Sequence, residues 1–275
     1  MNTILQTALD LTELSRAMQI AREAVLGGTD WIEAGTPLIK SEGMNAVREL
    51  AKEFPNHKII ADLKTSDTGG LEVEMAAKAG ADVVCILASA DDAVILDALR
   101  GAALYGVELM ADMMNVADVA GRAKQLADMG VHIINAHVGI DQQMEGKNPL
   151  DILSEISGLG VKVAAAGGLN AQTAAAAAAA GADIVIVGAG IVKAADVEAA
   201  ARAVREAIDS PSAAKPKTKT MDDEIREILR EVSAPHVTDA LYRKGAMWGI
   251  SARHVPKKMV GKAVTVQTFG GDWSK

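Results

Sequence analysis

The sequence predicts a (β/α)8 TIM barrel over residues 1–208, followed by a linker and a partial second α/β domain. Three observations lead there. Short apolar runs alternate with amphipathic stretches at intervals of roughly 25 residues, eight of each. Most of the apolar runs end in a charged residue or a glycine, the place where a barrel carries its chemistry. After Ile208 the alternation stops. A doubly wound open sheet is the alternative, but it normally has fewer strands and a topological switch point.

The elements follow in order. The predicted strands are Ile4–Leu11, Trp31–Gly35, Lys58–Lys64, Asp82–Ala88, Val107–Met113, His132–Val138, Lys162–Gly167 and Ile184–Gly188. The predicted helices begin near Thr12, Gly43, Gly70, Asp91, Val116, Pro149, Ala171 and Asp196. Thr12 with Glu13, and Asp91 with Asp92, offer capping oxygens and negative charge at helix starts. Alanine is the best helix former, so the Ala174–Ala180 run reads as a thin helix packed closely on the barrel. Asn170 is its expected N-cap, and Gly181 the residue that ends it.

Residues 209–221 are small, basic and proline-containing, as a solvated linker is. A helix from Asp222 to about Val232, a short helix from Thr238 to Lys244 and an extended run over Gly261–Phe269 follow. One strand in about 55 residues makes a poor independent core, so 222–275 reads as the opening of a second domain.

Composition removes whole classes of function. Of 275 residues, 49% are hydrophobic and 3% aromatic, so a large core must be built from Ala, Val, Ile, Leu and Met. A net charge of −8 argues against a nucleic-acid or anionic-membrane partner. The single Cys85 lies in an apolar strand and makes no internal disulfide, which fits a small core residue in a reducing cytoplasm. The N-terminus shows neither a basic region nor a long apolar run, so no signal peptide and no membrane span are expected.

The strand ends supply the candidate site. Four apolar residues lead into Asp62, with Lys64 two positions on and Asp67 in the loop beyond. Side chains two apart on a strand share a face, so Asp62 and Lys64 point the same way. Opposite charges at the mouth of an apolar strand cost desolvation, tolerated for a metal, a substrate or catalysis, or else for a simple ion pair at a strand end. Strand one delivers Asp10, strand two Glu33, strand five Asp112 and strand six His137. Asp10 is also placed to cap a helix, and a lone His is commonly a satisfied core residue. Glu33 and Asp62, on neighbouring strands, offer hard oxygens suited to Mg²⁺. Strand seven ends in Gly167-Gly168 and strand eight in Gly188-Ala189-Gly190. Such turns hold phosphate through backbone N–H groups in many barrels, and elsewhere are only tight turns.

Three stretches carry a resemblance: Ile32-Glu-Ala-Gly-Thr-Pro-Leu-Ile-Lys-Ser-Glu-Gly43, Ala61-Asp-Leu-Lys-Thr-Ser-Asp67 and Ala136-His-Val-Gly-Ile-Asp-Gln-Gln143. They resemble the orotidine 5′-monophosphate decarboxylase suprafamily, and within it the 3-hexulose-6-phosphate synthases. The resemblance implies an aldol lyase joining formaldehyde to ribulose 5-phosphate through a Mg²⁺-stabilised enediolate. It implies Glu33 and Asp62 as metal ligands and Lys64 as the positive charge beside them. His137 becomes the proton carrier. Asp10, Gly168, Gly188 and Ala189 fall in the substrate site. Asp67 is implied to reach the neighbouring subunit's site in a homodimer with shared active sites. The sister enzymes, the 3-keto-L-gulonate-6-phosphate decarboxylases, typically have arginines after the strand-six His and at the strand-eight turn. Val138, Ile140 and Ala189 stand there instead, which favours the synthase. Metal-free orotidine monophosphate decarboxylases lack a Glu33-type ligand. A ketose-phosphate epimerase lacks the strand-six motif. A third reading, a regulatory scaffold, conflicts with the cost of unused buried charge. In the tail, Glu224–Leu241 and Met259–Val266 are similar to the start of the family named for the regulator of ribonuclease activity A, without its later ligand-site residues.

Overall fold

The computed structural model describes residues 3–139 and 148–210. Eight parallel strands close into a barrel in chain order, with the last pairing the first. They are β1 (Ile4–Leu9), β2 (Trp31–Ala34), β3 (Lys58–Thr65), β4 (Val83–Leu87), β5 (Glu108–Asp112), β6 (Ile133–His137), β7 (Lys162–Ala166) and β8 (Ile184–Val187). All eight predicted strands are present, most of them a residue or two shorter than expected. The helices are α1 (Leu14–Leu26), α2 (Thr36–Glu42), α3 (Asn45–Glu53), α4 (Gly69–Ala79), α5 (Asp92–Tyr105), α6 (Val119–Met129), α7 (Pro149–Ile156), α8 (Ala171–Ala179), α9 (Ala189–Val192) and α10 (Val197–Asp209).

Two helices were not expected. Helix α2 has only seven residues, too few to show a period, and Pro37 fits its first turn because a missing N–H costs nothing there. Gly43, with φ 65°, ends it before α3 begins. Helix α9 is a single turn. The expected cap at Thr12 is absent. Glu13 takes that position without a side-chain bond, and the free N–H of Leu14 goes to Glu42 Oε1 at 3.2 Å. A tertiary contact thus replaces the local one. Asp91 and Asn170 cap as predicted, and Asn170 forms a reciprocal capping box with Thr173.

The core has two layers. Leu9, Ile32, Ile134, Ala136 and Val185 pack outward against the helices, while Ile60, Met110, Ile133, Ala164 and Ile186 fill the barrel. The base of the barrel carries one device four times. The residue just before each even strand accepts from the second N–H of the preceding odd strand: Asp30 from Leu5, Asp82 from Ile59 and Asp183 from Val163, each at 2.8 Å, and His132 Nδ1 from Leu109 at 3.0 Å. These bonds lock the bottom rim and leave the opposite mouth to the loops. The expected tail elements and most of the linker, like Ile140–Gln143, lie outside the described residues. No helix among the described residues is long and apolar enough to cross a membrane.

Candidate active site

The strands β3, β5 and β6 bring Asp62, Lys64, Asp112 and His137 together at the C-terminal mouth. Lys64 Nζ donates to Asp112 Oδ2 at 2.8 Å and lies 3.1 Å from Asp62 Oδ2. His137 Nδ1 is 2.6 Å from the same Asp112 oxygen. The other Asp112 oxygen accepts from the Met114 N–H at 2.9 Å. Asp112 is 1% exposed, and all its bonds hold the charged form. Burial pushes its carboxyl up, but the hydrogen bond and charge of His137, then those of Lys64, outweigh this and bring it down to about 2. Burial likewise disfavours the Lys64 ammonium, yet Asp62 and Asp112 hold its pKa far above the ordinary lysine range. Lys64 is therefore a fixed positive charge.

Lys64 reaches this place by a route that period-two reasoning does not contain. The β3–β4 register shifts between Asp62 and Thr65, and Lys64 takes the left-handed conformation, φ 49°. This bulge turns the lysine over the mouth. A non-glycine residue with positive φ is strained, and the surrounding ion pairs hold it there. Asp62 is fixed by Thr36, whose Oγ1 donates to Asp62 Oδ2 at 2.7 Å from the first turn of α2.

A second cluster lies on β1 and β2. Glu33 is 6% exposed and accepts from Gln6 Nε2 at 2.6 Å. Its pKa stands well above the ordinary range through burial first, then the charges of Asp62 and Asp10, and the Gln6 bond offsets only part of this. Asp10 opens to solvent at the mouth, yet the protein packed around it thins that solvent. Burial, then Asp62, raise its pKa against the pull of Lys64, His137 and Lys193. Gly35 and Gly188 flank it: a Cβ at Gly35 would meet Asp10 Oδ1 at 2.4 Å, and one at Gly188 would meet Oδ2 at 3.3 Å. Only glycine fits at position 35.

The predicted Asp10, Glu33, Asp62, Lys64 and His137 thus gather at one mouth. Asp67 does not join them: it is exposed in the loop after β3, its carboxylate accepting from the Thr68 N–H at 2.8 Å. Gly168 follows β7 with φ 65°, and Gly188 and Ala189 open α9. Asp112 carries more than the sequence suggested. Gln6 and Thr36 were missed altogether: Gln6 stands as a polar residue inside an apolar strand, which is the signal that marks it. Among the described residues no three His, Cys, Asp or Glu side chains converge as a ready-made metal cage.

The family profile described as "Orotidine 5'-phosphate decarboxylase / HUMPS family" matches residues 3–204. The chain belongs to that family. A member of the family from Bacillus subtilis (strain 168), named 3-hexulose-6-phosphate synthase, is 39% identical over 206 residues, covering 74% of this chain and 98% of the relative. A solved 3-hexulose-6-phosphate synthase from Salmonella typhimurium is 34% identical with a TM-score of 0.71, covering 76% of this chain and 98% of that one. A KGPDC from Streptococcus mutans, solved as a ligand complex, is 27% identical with a TM-score of 0.71 over 76% of this chain and 98% of its own. The barrel is an enzyme of this family, a lyase.

Proposed function

We propose that the barrel condenses formaldehyde with D-ribulose 5-phosphate to give D-arabino-3-hexulose 6-phosphate, reversibly. The observation that carries this reading is the match to a relative named for that synthase over 98% of its length and 74% of this chain, on a mouth where Lys64, Asp112 and His137 converge. Mg²⁺ fits the residues present. Glu33 and Asp62 are inward carboxylates on adjacent strands, and burial and like charge make the Glu33 anion costly without a cation. Mg²⁺ is usually held by one or two carboxylates with water and substrate oxygens, so no larger cage is needed. Glu33 and Asp62 would hold it. When bound, the ion supplies a Lewis acid for the oxygens of the enediolate.

The chain's own groups do the rest. Asp112 takes His137 by Nδ1, which leaves Nε2 to face substrate. His137 accepts the C1 proton of ribulose 5-phosphate, and C1 then attacks the formaldehyde carbon. The formaldehyde oxygen takes up the proton from His137, so the step balances. Lys64 stays protonated beside the developing negative charge. The turns at Gly168, Gly188 and Ala189 would receive the phosphate through backbone N–H groups. The exposed Asp67 is free to reach a second subunit, and a homodimer with shared sites follows from this reading. For the rest of the chain the proposal is a linker at 209–221 and, at 222–275, a fragment like the regulator of ribonuclease activity A, with no activity carried over to it. A cytoplasmic site of action fits the single cysteine.

The test is incubation with ribulose 5-phosphate, formaldehyde and Mg²⁺. Formaldehyde should disappear, EDTA should stop the reaction and added Mg²⁺ should restore it. No loss of formaldehyde would overturn the reading, and full activity in EDTA would overturn the metal. The second reading is a 3-keto-L-gulonate-6-phosphate decarboxylase, since a solved protein of that name from Vibrio cholerae O1 is 29% identical over its whole length. Release of CO₂ from that substrate would favour it.

A further inference from the structure

Among the described residues, two buried side-chain oxygens inside the barrel have no hydrogen-bond partner, Gln6 Oε1 and Asn135 Oδ1. Asn135 lies on β6 between Ile133 and His137. Ile133 packs inside the barrel while Ile134 and Ala136 pack outside it, so Asn135 points inward with His137. It is 5% exposed, and its Oδ1 is buried without a hydrogen bond. In the β5–β6 register it stands beside Asp112, the residue that holds Lys64 and His137. On its other side β7 offers only Ala164 and Ala166, whose methyl groups satisfy no amide. A buried acceptor left unpaired forfeits its hydration without recompense, so native proteins rarely keep one without use. The other orphan, Gln6 Oε1, belongs to a side chain already engaged with Glu33. Asn135 has no such engagement among the described residues.

We propose that Asn135 is a specificity-determining residue that reads an oxygen of the bound open-chain sugar, just below the Asp112–His137 pair. An amide presents both an acceptor and donors, the pair of functions that recognises a hydroxyl. The β7 neighbour of Asn135 in register, Ala164, is small. The inference rests on the proposed function, because it takes the ligand of this mouth to be a ketose phosphate. It adds a contact that none of the charged groups supplies, on the wall opposite Glu33 and Asp62.

The experiment compares wild type with Asn135→Leu, which keeps the volume and removes the amide. Three quantities are read: the ligand-free Tm, the Kd for D-ribulose 5-phosphate without formaldehyde, and the Kd for inorganic phosphate. The expected result is a Tm equal to or above that of wild type, because an orphan is removed. The sugar phosphate should bind about three- to tenfold more weakly, the worth of one hydrogen bond to a neutral group, with phosphate binding unchanged. An unchanged sugar-phosphate Kd would overturn the inference and make Asn135 a tolerated structural orphan. Equal weakening of both ligands would overturn it too, as damage to the whole mouth. Should Asn135→Leu not fold, Asn135→Ser is judged by the same two Kd values. If wild type binds phosphate but no ribulose 5-phosphate, the proposed function itself fails, an outcome distinct from a silent variant.

Discussion

Replacing Asp112 with asparagine removes a charge and almost nothing else. The side chain keeps its shape, and the Met114 N–H keeps an acceptor. Lys64 and His137 lose the carboxylate oxygen they share at 2.8 and 2.6 Å. The stake follows from linkage. Asp112 titrates at about 2 in the folded protein against an ordinary 3.8, and at about 1.4 kcal/mol per pH unit this stabilises the fold by about 2 kcal/mol at neutral pH. The sign is that of a depressed acid: the contribution is complete above the unfolded pKa and disappears as pH falls through the folded one. Asp112→Asn should therefore be less stable than wild type by about 2 kcal/mol at pH 7, a shift of roughly 1 M in the urea midpoint. The gap should narrow below pH 4 and nearly close by pH 2. Urea unfolding followed by circular dichroism at a series of pH values measures it. A gap that stays constant with pH would refute the charge argument and assign the loss to packing. A variant more stable than wild type at pH 7 would refute it outright.

Three further outcomes are expected. Glu33→Gln should be inactive yet have a higher Tm than wild type in metal-free buffer at pH 8, because it removes a carboxylate that burial and like charge disfavour. A raised acid pKa costs stability as pH rises, so this advantage should vanish towards pH 4, and its persistence there would count against the argument. Homodimers of Asp67→Ala and of Glu33→Gln should each be nearly inactive, while an equal mixture after verified subunit exchange should recover about a quarter of wild-type activity; no recovery would place Asp67 in its own barrel. A chain ending at Ser210, one residue past α10, should stay folded and fix formaldehyde, and loss of the fold would mean that the tail packs on the barrel.

Much of this protein is written in local pattern. Eight apolar runs with polar ends specify strands buried on both faces, and the caps at Asp91 and Asn170 lie within three residues of the N–H groups they accept from. Burial and period are properties of neighbouring residues, so the barrel and the positions of Asp10, Glu33, Asp62 and His137 at its mouth were legible from the chain alone. What the chain does not display is who meets whom across the closed barrel. Asp112 meets Lys64 across 48 residues and His137 across 25, and Gln6 meets Glu33 across 27. Those contacts exist only once the strands are side by side in register. The bulge at Lys64 goes further, because it breaks the alternation on which the sequence reading relied. Its left-handed backbone is unfavourable locally, and only the two carboxylates waiting on β3 and β5 make it the stable choice.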